Sequence, residues 1–401
     1  MNNGTWRNWA GTESCRPEAI VKAESVEQIS EIVADATRRG VTVRPVGSGH
    51  SFAPLVPTDG IVLDLSAVSG IESLNHSSAQ ATVRAGTKIA DLGEPLWDEG
   101  LCLRNQGAID AQTIAGAIST STHGSGLGLK LLSGEVVGAK VVTSSGEVEM
   151  IGFNDPRLPA LRASMGMLGV IVSLDIQLEP KFKLRETLEF RPLTEVLERW
   201  DELTHNHRHF SFVHGQQYDM SASLPPLPET SKPTLVRIFD EVDPDTDYDG
   251  SPAHRTDRPY RIYPDQYTPP WEEVEPFVPY NTALDAIQSC LHVLERFPDT
   301  FPLEVRTAAG DDAWLSPTGG DAAVSLNTVR TWGNDNRAFF RAMEEALDPF
   351  PGRPHWGKQP YLRTADFYRS VYPFWDDFIQ LRRQMDPSGT FLNAPLRRLF
   401  D

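Results

Sequence analysis

Val46-Gly47-Ser48-Gly49-His50-Ser51-Phe52 is the stretch on which the reading of this chain turns. It closes a short β-branched run from Val41 to Val46, and that run follows Val26, Ile29, Ile32, Val33 and Ala36 at helical spacing with Gly40 as the stop. A helix, a strand and a glycine loop therefore stand in order. Glycines at 47 and 49 let backbone N–H groups come close to an anion, and His50 follows directly. A pyrophosphate suits this loop. The nicotinamide dinucleotide fingerprint does not fit, because Phe52 takes the place of the third glycine and no helix with an acidic residue follows at the required distance. Taken alone, a glycine turn with an incidental histidine explains the same residues.

Outward from the loop, Gly60 to Leu65 and Gln80 to Ala85 read as strands, and Ile89 to Gly100 reads as a helix. Val136 to Thr143 and Gly169 to Leu178 read as further strands, with Pro180 marking the end of an α+β unit. Between them, residues 105–126 read NQGAIDAQTIAGAISTSTHGSG. Small residues interleaved with serine and threonine offer many N–H and O–H donors with little bulk, which makes a cradle for a polyanionic or heteroaromatic ligand. Ile109, Ile114 and Ile118 would anchor it in a core, which a free polar loop lacks.

From about Phe182 aromatic residues increase and glycines thin out, and Thr187 to Phe190, Phe210 to Val213 and Leu235 to Phe239 read as strands of a second domain. Asp240 to Glu275, crowded with Asp, Glu, Pro and Tyr, reads as a solvated surface loop or a lid. Thr282 to Phe297 follows as a helix, Leu303 to Thr307 and Ala323 to Thr328 as strands, and Asp366 to Met385 as one amphipathic helix. Alternation sends Glu304 and Arg306 from one face of their strand while Val305 points to the core. A surface ion pair would look the same.

The 401 residues suggest about two domains, and 40% hydrophobic with 23% charged residues is ordinary globular composition. A formal charge of -18 repels phosphate backbones and anionic lipid, so nucleic acid is not an expected partner. Cys15, Cys102 and Cys290 are too far apart for a metal spacing or a disulfide framework, so no metal is expected and a reducing compartment fits. Met1 to Trp6 has no signal-peptide pattern, and no run reaches the ~18 apolar residues of a membrane helix. The expectation is a cytoplasmic protein without membrane insertion.

The motifs along the chain, taken together, resemble a family. The GSGHSF loop and the NQG…TIAGAISTSTHGSG cradle are joined by Asn8-Trp9-Ala10-Gly11, Glu304-Val305-Arg306-Thr307, Trp314-Leu315-Ser316-Pro317, His355-Trp356-Gly357-Lys358 and Asp386-Pro387-Ser388-Gly389-Thr390-Phe391. In this order they are similar to the FAD-linked oxidases of the vanillyl-alcohol oxidase fold, in the branch of alditol oxidases and aldonolactone (gulonolactone, arabinonolactone) oxidases. The resemblance runs from Asn8 to Asn393, apart from roughly Phe210 to Tyr280.

The resemblance implies an α+β fold with a two-subdomain FAD-binding (PCMH-type) domain over residues 1–180. A substrate or cap domain with a mixed or antiparallel sheet flanked by helices would span 181–358, and a C-terminal segment over 359–401 would return toward the FAD domain. It implies FAD held covalently through His50, with Pro45, Val46, Gly47, Ser48, Gly49 and Ser51 around the pyrophosphate. Thr113, Gly116, Thr120, Ser121, Thr122 and His123 would hold the rest, and Ile171 would meet it through its backbone. No cysteine lies in the cradle, so a single linkage is implied. Glu304 and Arg306 would bind substrate hydroxyls before the flavin, and Lys358 would stabilise the negative charge of the reduced ring. Thr328 would lie at the substrate rim.

Ala108 and Leu326 stand where relatives carry polar residues, which implies a pocket more apolar than one built for a linear polyol. The implied reaction is hydride transfer from an alcohol carbon of a sugar, polyol or aldonolactone-like substrate. O₂ is the implied acceptor, since Gly107 leaves oxygen a path, and a dehydrogenase with another acceptor is the alternative. A non-redox carbohydrate- or flavin-binding protein would not need Glu304, Arg306 and Lys358.

Overall fold

The computed structural model of the chain describes residues 4–215, 233–265, 271–297, 302–331, 336–358 and 363–401. The helix preceding the glycine loop runs over Val26–Arg39, started by the Ser25 hydroxyl accepting from Gln28 N–H and ended by Gly40 at φ +67°. Val43–Val46 and Ala19–Lys22 flank Ile61–Asp64 in a three-stranded parallel sheet, so the loop at 47–51 leaves the C-terminal end of a parallel strand. An antiparallel sheet follows, in the order Val148–Ile151, Val136–Val142, Val170–Pro180, Gln80–Arg84 and Ile71–Asn75, with Leu101–Leu103 beside the end of Val170–Pro180. The first helix and both sheets contribute to one apolar core that includes Val33, Leu63, Val83, Val141 and Leu174. Trp356, Tyr368, Trp375 and Phe400 from the C-terminal part of the chain complete it.

The second part of the chain forms a ten-stranded sheet whose recorded neighbours are all antiparallel. Phe210, Phe212, Val305, Val324 and Leu326 leave one of its faces and pack with Ala286, Ile287, Phe339 and Phe340 of the helices Ala283–Arg296 and Arg337–Ala346. The opposite face looks toward the first domain. There His209 Nδ1 meets Ser125 O at 2.5 Å, and Gly126 N donates to Thr307 O at 2.9 Å.

Two expected elements differ. Asp240 to Glu275 is not a single loop: Asp249–Ser251, His254–Asp257 and Trp271–Val274 are strands and Pro259–Ile262 is a helical turn, although most of residues 243–252 is exposed as expected of a surface segment, while 266–270 lie outside the described residues. From this stretch Arg255 joins Arg237 on the fully buried carboxylate of Glu186. The expected helix Asp366 to Met385 is two, Ala365–Val371 and Trp375–Met385, because Pro373 drives Tyr372 to an extended backbone (φ −110°, ψ 106°). Among the described residues no helix is long and apolar enough to cross a membrane.

Candidate active site

The glycine loop and the cradle face each other across a cleft. Pro45, Val46, Gly47, Ser48, Gly49, His50, Ser51, Thr113, Gly116, Thr120 and Ile171 all line it, together with Gln112. Gly47 packs so closely on the cradle that a Cβ would stand 1.8 Å from Thr113 Oγ1, and Ser48 Oγ ties the loop to Ala111 O at 2.6 Å. Arg44, just before the loop, is buried and donates to Leu55 O and Met165 O, each at 2.7 Å. The His50 ring stacks on Trp9, and burial with Lys358 and Lys88 nearby lowers its pKa to about 4, so the imidazole is neutral at neutral pH.

Gly107, Ser121, Thr122 and His123 are buried and are not among the residues that line this cleft. A Cβ on Gly107 would be 2.8 Å from Thr122 Cγ2, and Ser121 takes a left-handed backbone at φ +63°. His123 is buried where the domains meet: Nδ1 faces Gly124 O at 2.7 Å and Nε2 faces Glu275 Oε1 at 3.0 Å. Both ring nitrogens thus face oxygen atoms of the protein. Arg306 donates to the same Glu275 oxygen. Burial works to raise the Glu275 carboxyl, but Arg306 and His123 outweigh it and hold it well below the usual carboxylate range. His355 has a nitrogen close to the same group, and burial keeps it neutral, with Nδ1 accepting from Gly357 N–H at 3.1 Å. The ligand atoms of His123, Glu275 and His355 lie within 4.8 Å of one another, but a guanidinium already shares the carboxylate, which opposes a divalent cation.

On the cap sheet Glu304 pairs with Asn327 and Arg306 with Ser325. These four residues share the face toward the cradle: Asn327 Nδ2 donates to Glu304 Oε2 at 3.3 Å, and Arg306 Nε stands 3.7 Å from the same oxygen. Lys358 is ion-paired with the mostly buried Glu273, which also accepts from Trp271 Nε1 at 2.8 Å, and its ammonium lies 5.7 Å from the centre of the Phe52 ring. Ala108 is half-buried and accepts through its carbonyl from Asp265 N–H at 2.9 Å.

Residues 17–152 match the FAD binding domain family, and residues 218–399 match D-arabinono-1,4-lactone oxidase. The chain is 34% identical to L-gulono-1,4-lactone dehydrogenase of Mycobacterium tuberculosis, with 98% of each chain covered. It is 28% identical to L-gulonolactone oxidase of Bos taurus and 29% identical to alditol oxidase of a Streptomyces species, again over 98% of each. The chain belongs to the FAD-linked aldonolactone oxidase family. It is an FAD-dependent oxidoreductase acting on CH–OH groups. Its fold is the two-subdomain FAD-binding kind with a cap: a cholesterol oxidase from B. sterolicum superposes with a TM-score of 0.83 at 17% identity, over 99% of this chain and 96% of that one.

The residues present fit FAD. His50 Nδ1, Gln112 Oε1, Ser121 Oγ and Thr122 Oγ1 are buried without a hydrogen-bond partner among the described residues, as open valences for a heteroaromatic, polyanionic ligand would be. Two expected substrate residues need correction. Leu326 belongs to the cap's apolar core opposite Val305, and Thr328, two residues on, shares its face. Ser325 and Asn327 take their place toward the cradle, and Ser325 Oγ and Asn327 Oδ1 are buried with no partner among the described residues. The cap wall is polar, contrary to the expectation drawn from Leu326. Glu273 and Glu275 were hidden in the acidic run, although their spacing of two, beside Trp271, is a strand signal.

Proposed function

We propose that this enzyme oxidises a hydroxyl-bearing carbon of an aldonolactone or a closely related sugar or sugar alcohol, with O₂ as electron acceptor and with FAD joined covalently through His50. The observation that carries the substrate class is the polar cap face, where Glu304, Arg306, Ser325 and Asn327 stand together before the cradle. FAD, when bound, supplies the hydride acceptor. Glu304 accepts from a substrate hydroxyl while Arg306 donates to a neighbouring oxygen, and Glu275 holds the guanidinium in place from behind. Ser325 and Asn327 offer further donors and acceptors to a polyhydroxylated ring, which a desolvated apolar substrate would leave unpaired at ~1–3 kcal/mol each. Lys358 supplies positive charge where the reduced cofactor is negative. Pro45, Val46, Gly47, Ser48, Gly49 and Ser51 bind the pyrophosphate, and Thr113, Gly116, Thr120, Ser121, Thr122, His123 and Ile171 bind the remainder.

A dehydrogenase is the second reading, favoured by the 34% identity to a protein of that name. The purified protein should be yellow and bleach anaerobically with aldonolactones, and its acid precipitate should stay yellow unless His50 is replaced by Ala. Hydrogen peroxide formed in air identifies the oxidase, whereas dye reduction without peroxide identifies the dehydrogenase. A yellow protein that no lactone, sugar or polyol bleaches would refute the substrate class.

A further inference from the structure

We infer that Trp9 is a positioning residue for covalent attachment of the cofactor, its indole fixing the plane of the His50 ring from which the bond forms; this rests on the reading of His50 as the attachment point. A bond between an imidazole nitrogen and a methyl carbon needs the ring held in one orientation. No hydrogen bond does this at Nδ1, which is buried and has no partner among the described residues. The ring instead lies on Trp9, with centroids 4.8 Å apart and planes 29° apart.

Trp9 is itself fixed. Its N–H donates to Gly49 O at 2.8 Å, and Asn8 Nδ2 donates to Ser51 O at 3.0 Å, so the N-terminal strap binds the chain on both sides of His50. The strap closes on itself, because Glu13 N–H donates to Asn8 Oδ1 at 3.0 Å and Asn8 Nδ2 to Thr12 Oγ1 at 2.9 Å. From the cap, Trp271 meets Trp9 edge-on at 5.2 Å and 75°. Burial and nearby lysines already keep His50 neutral, so one ring nitrogen carries a free lone pair and what the stack adds is orientation. Stacking gives orientation and leaves the ring nitrogens open, as a hydrogen-bond partner would not.

The attachment exchanges one methyl C–H and the imidazole N–H for a C–N bond. The two protons pass to water, and the two electrons enter the flavin ring and pass on to the electron acceptor of the reaction, O₂ in the reading above.

The test uses the full chain made in riboflavin-starved cells and then given FAD. Acid-stable flavin is followed with time, and non-covalent binding is read from quenching of flavin fluorescence. Trp9→Ala and Trp9→Leu should still bind FAD but form acid-stable flavin about tenfold more slowly, the order expected on losing an aromatic pair, and Trp9→Phe should restore most of the rate. Native rates in the Ala and Leu variants would overturn the inference. If Trp9→Ala fails to bind FAD, the Leu and Phe variants decide, because both fill space and only Phe is flat; equal rates for these two would overturn it. A natural chain with no acid-stable flavin overturns the attachment reading itself, which an unaltered Leu variant does not.

Discussion

Lys358 shows how one residue can serve chemistry and fold together. Its ammonium neutralises Glu273, whose side chain is only 6% exposed, so deleting the lysine alone strands a buried carboxylate. Breaking such a pair costs ~3–5 kcal/mol, whereas replacing both partners by uncharged groups of similar size is often neutral. Lys358→Ala should therefore lower both thermal stability and the rate of flavin reduction. Lys358→Met combined with Glu273→Gln should recover stability while reduction stays about a hundredfold slow, as loss of one preset charge predicts. Melting curves beside anaerobic stopped-flow reduction separate the two roles, and a double variant with native reduction would make Lys358 purely structural. The sequence displayed Lys358 and His50 because their motifs are local. Glu273 carried no such mark, since its partner is 85 residues away and its neighbours look like a solvated acidic run.

At the scale of an element, the strand Leu303–Ala308 was legible in detail, because alternation alone puts Glu304 and Arg306 together and Val305 in the core. The neighbouring strand Ala323–Thr331 was not. Its residues Ser325-Leu326-Asn327-Thr328 alternate on both faces, and which pair turns toward the cradle is set by registry across strands, Glu304 opposite Asn327, which a single strand does not encode. The two parities predict opposite outcomes. Leu326→Ala should cost ~2–5 kcal/mol of stability through the cavity it leaves and should hardly change the ranking of substrates. Asn327→Ala should keep the melting temperature within a few degrees and raise KM for hydroxylated lactones by roughly tenfold, the loss of one well-made hydrogen bond. A change of substrate ranking in Leu326→Ala with none in Asn327→Ala would restore the other registry.

Across the whole molecule, the cofactor loop depends on residues at the far end of the chain. Val43 N–H donates to Thr390 O at 2.8 Å, and Arg44 donates to the carbonyl of Phe391 as well as to those of Leu55 and Met165. Asn393 Nδ2 reaches Pro54 O at 2.9 Å and Pro57 O at 3.0 Å, while Asp386 accepts from Thr390 and Phe391 N–H at 2.8 Å each. The Asp386 to Phe391 motif thus acts on the strand that carries Pro45, a contact across more than 340 residues that no local pattern in the sequence discloses. What fixes this tail is aromatic packing: Phe400 is fully buried and stacks on Trp375 with centroids 4.5 Å apart, inside the same core as Val33 and Leu63. Phe400→Ala should then destabilise the cofactor-binding domain by ~3–5 kcal/mol, although the residue does not line the cleft. Because the tail holds Arg44 and Arg44 precedes the loop, flavin content should fall along with the melting temperature. Saturating FAD during purification should restore part of both in the flavin-free chains, since FAD that binds only the folded state, before attachment, stabilises it by mass action. The measurement is flavin absorbance per chain against melting temperature with and without added FAD, and full flavin loading at a lowered melting temperature would show that the tail supports the core without supporting the loop.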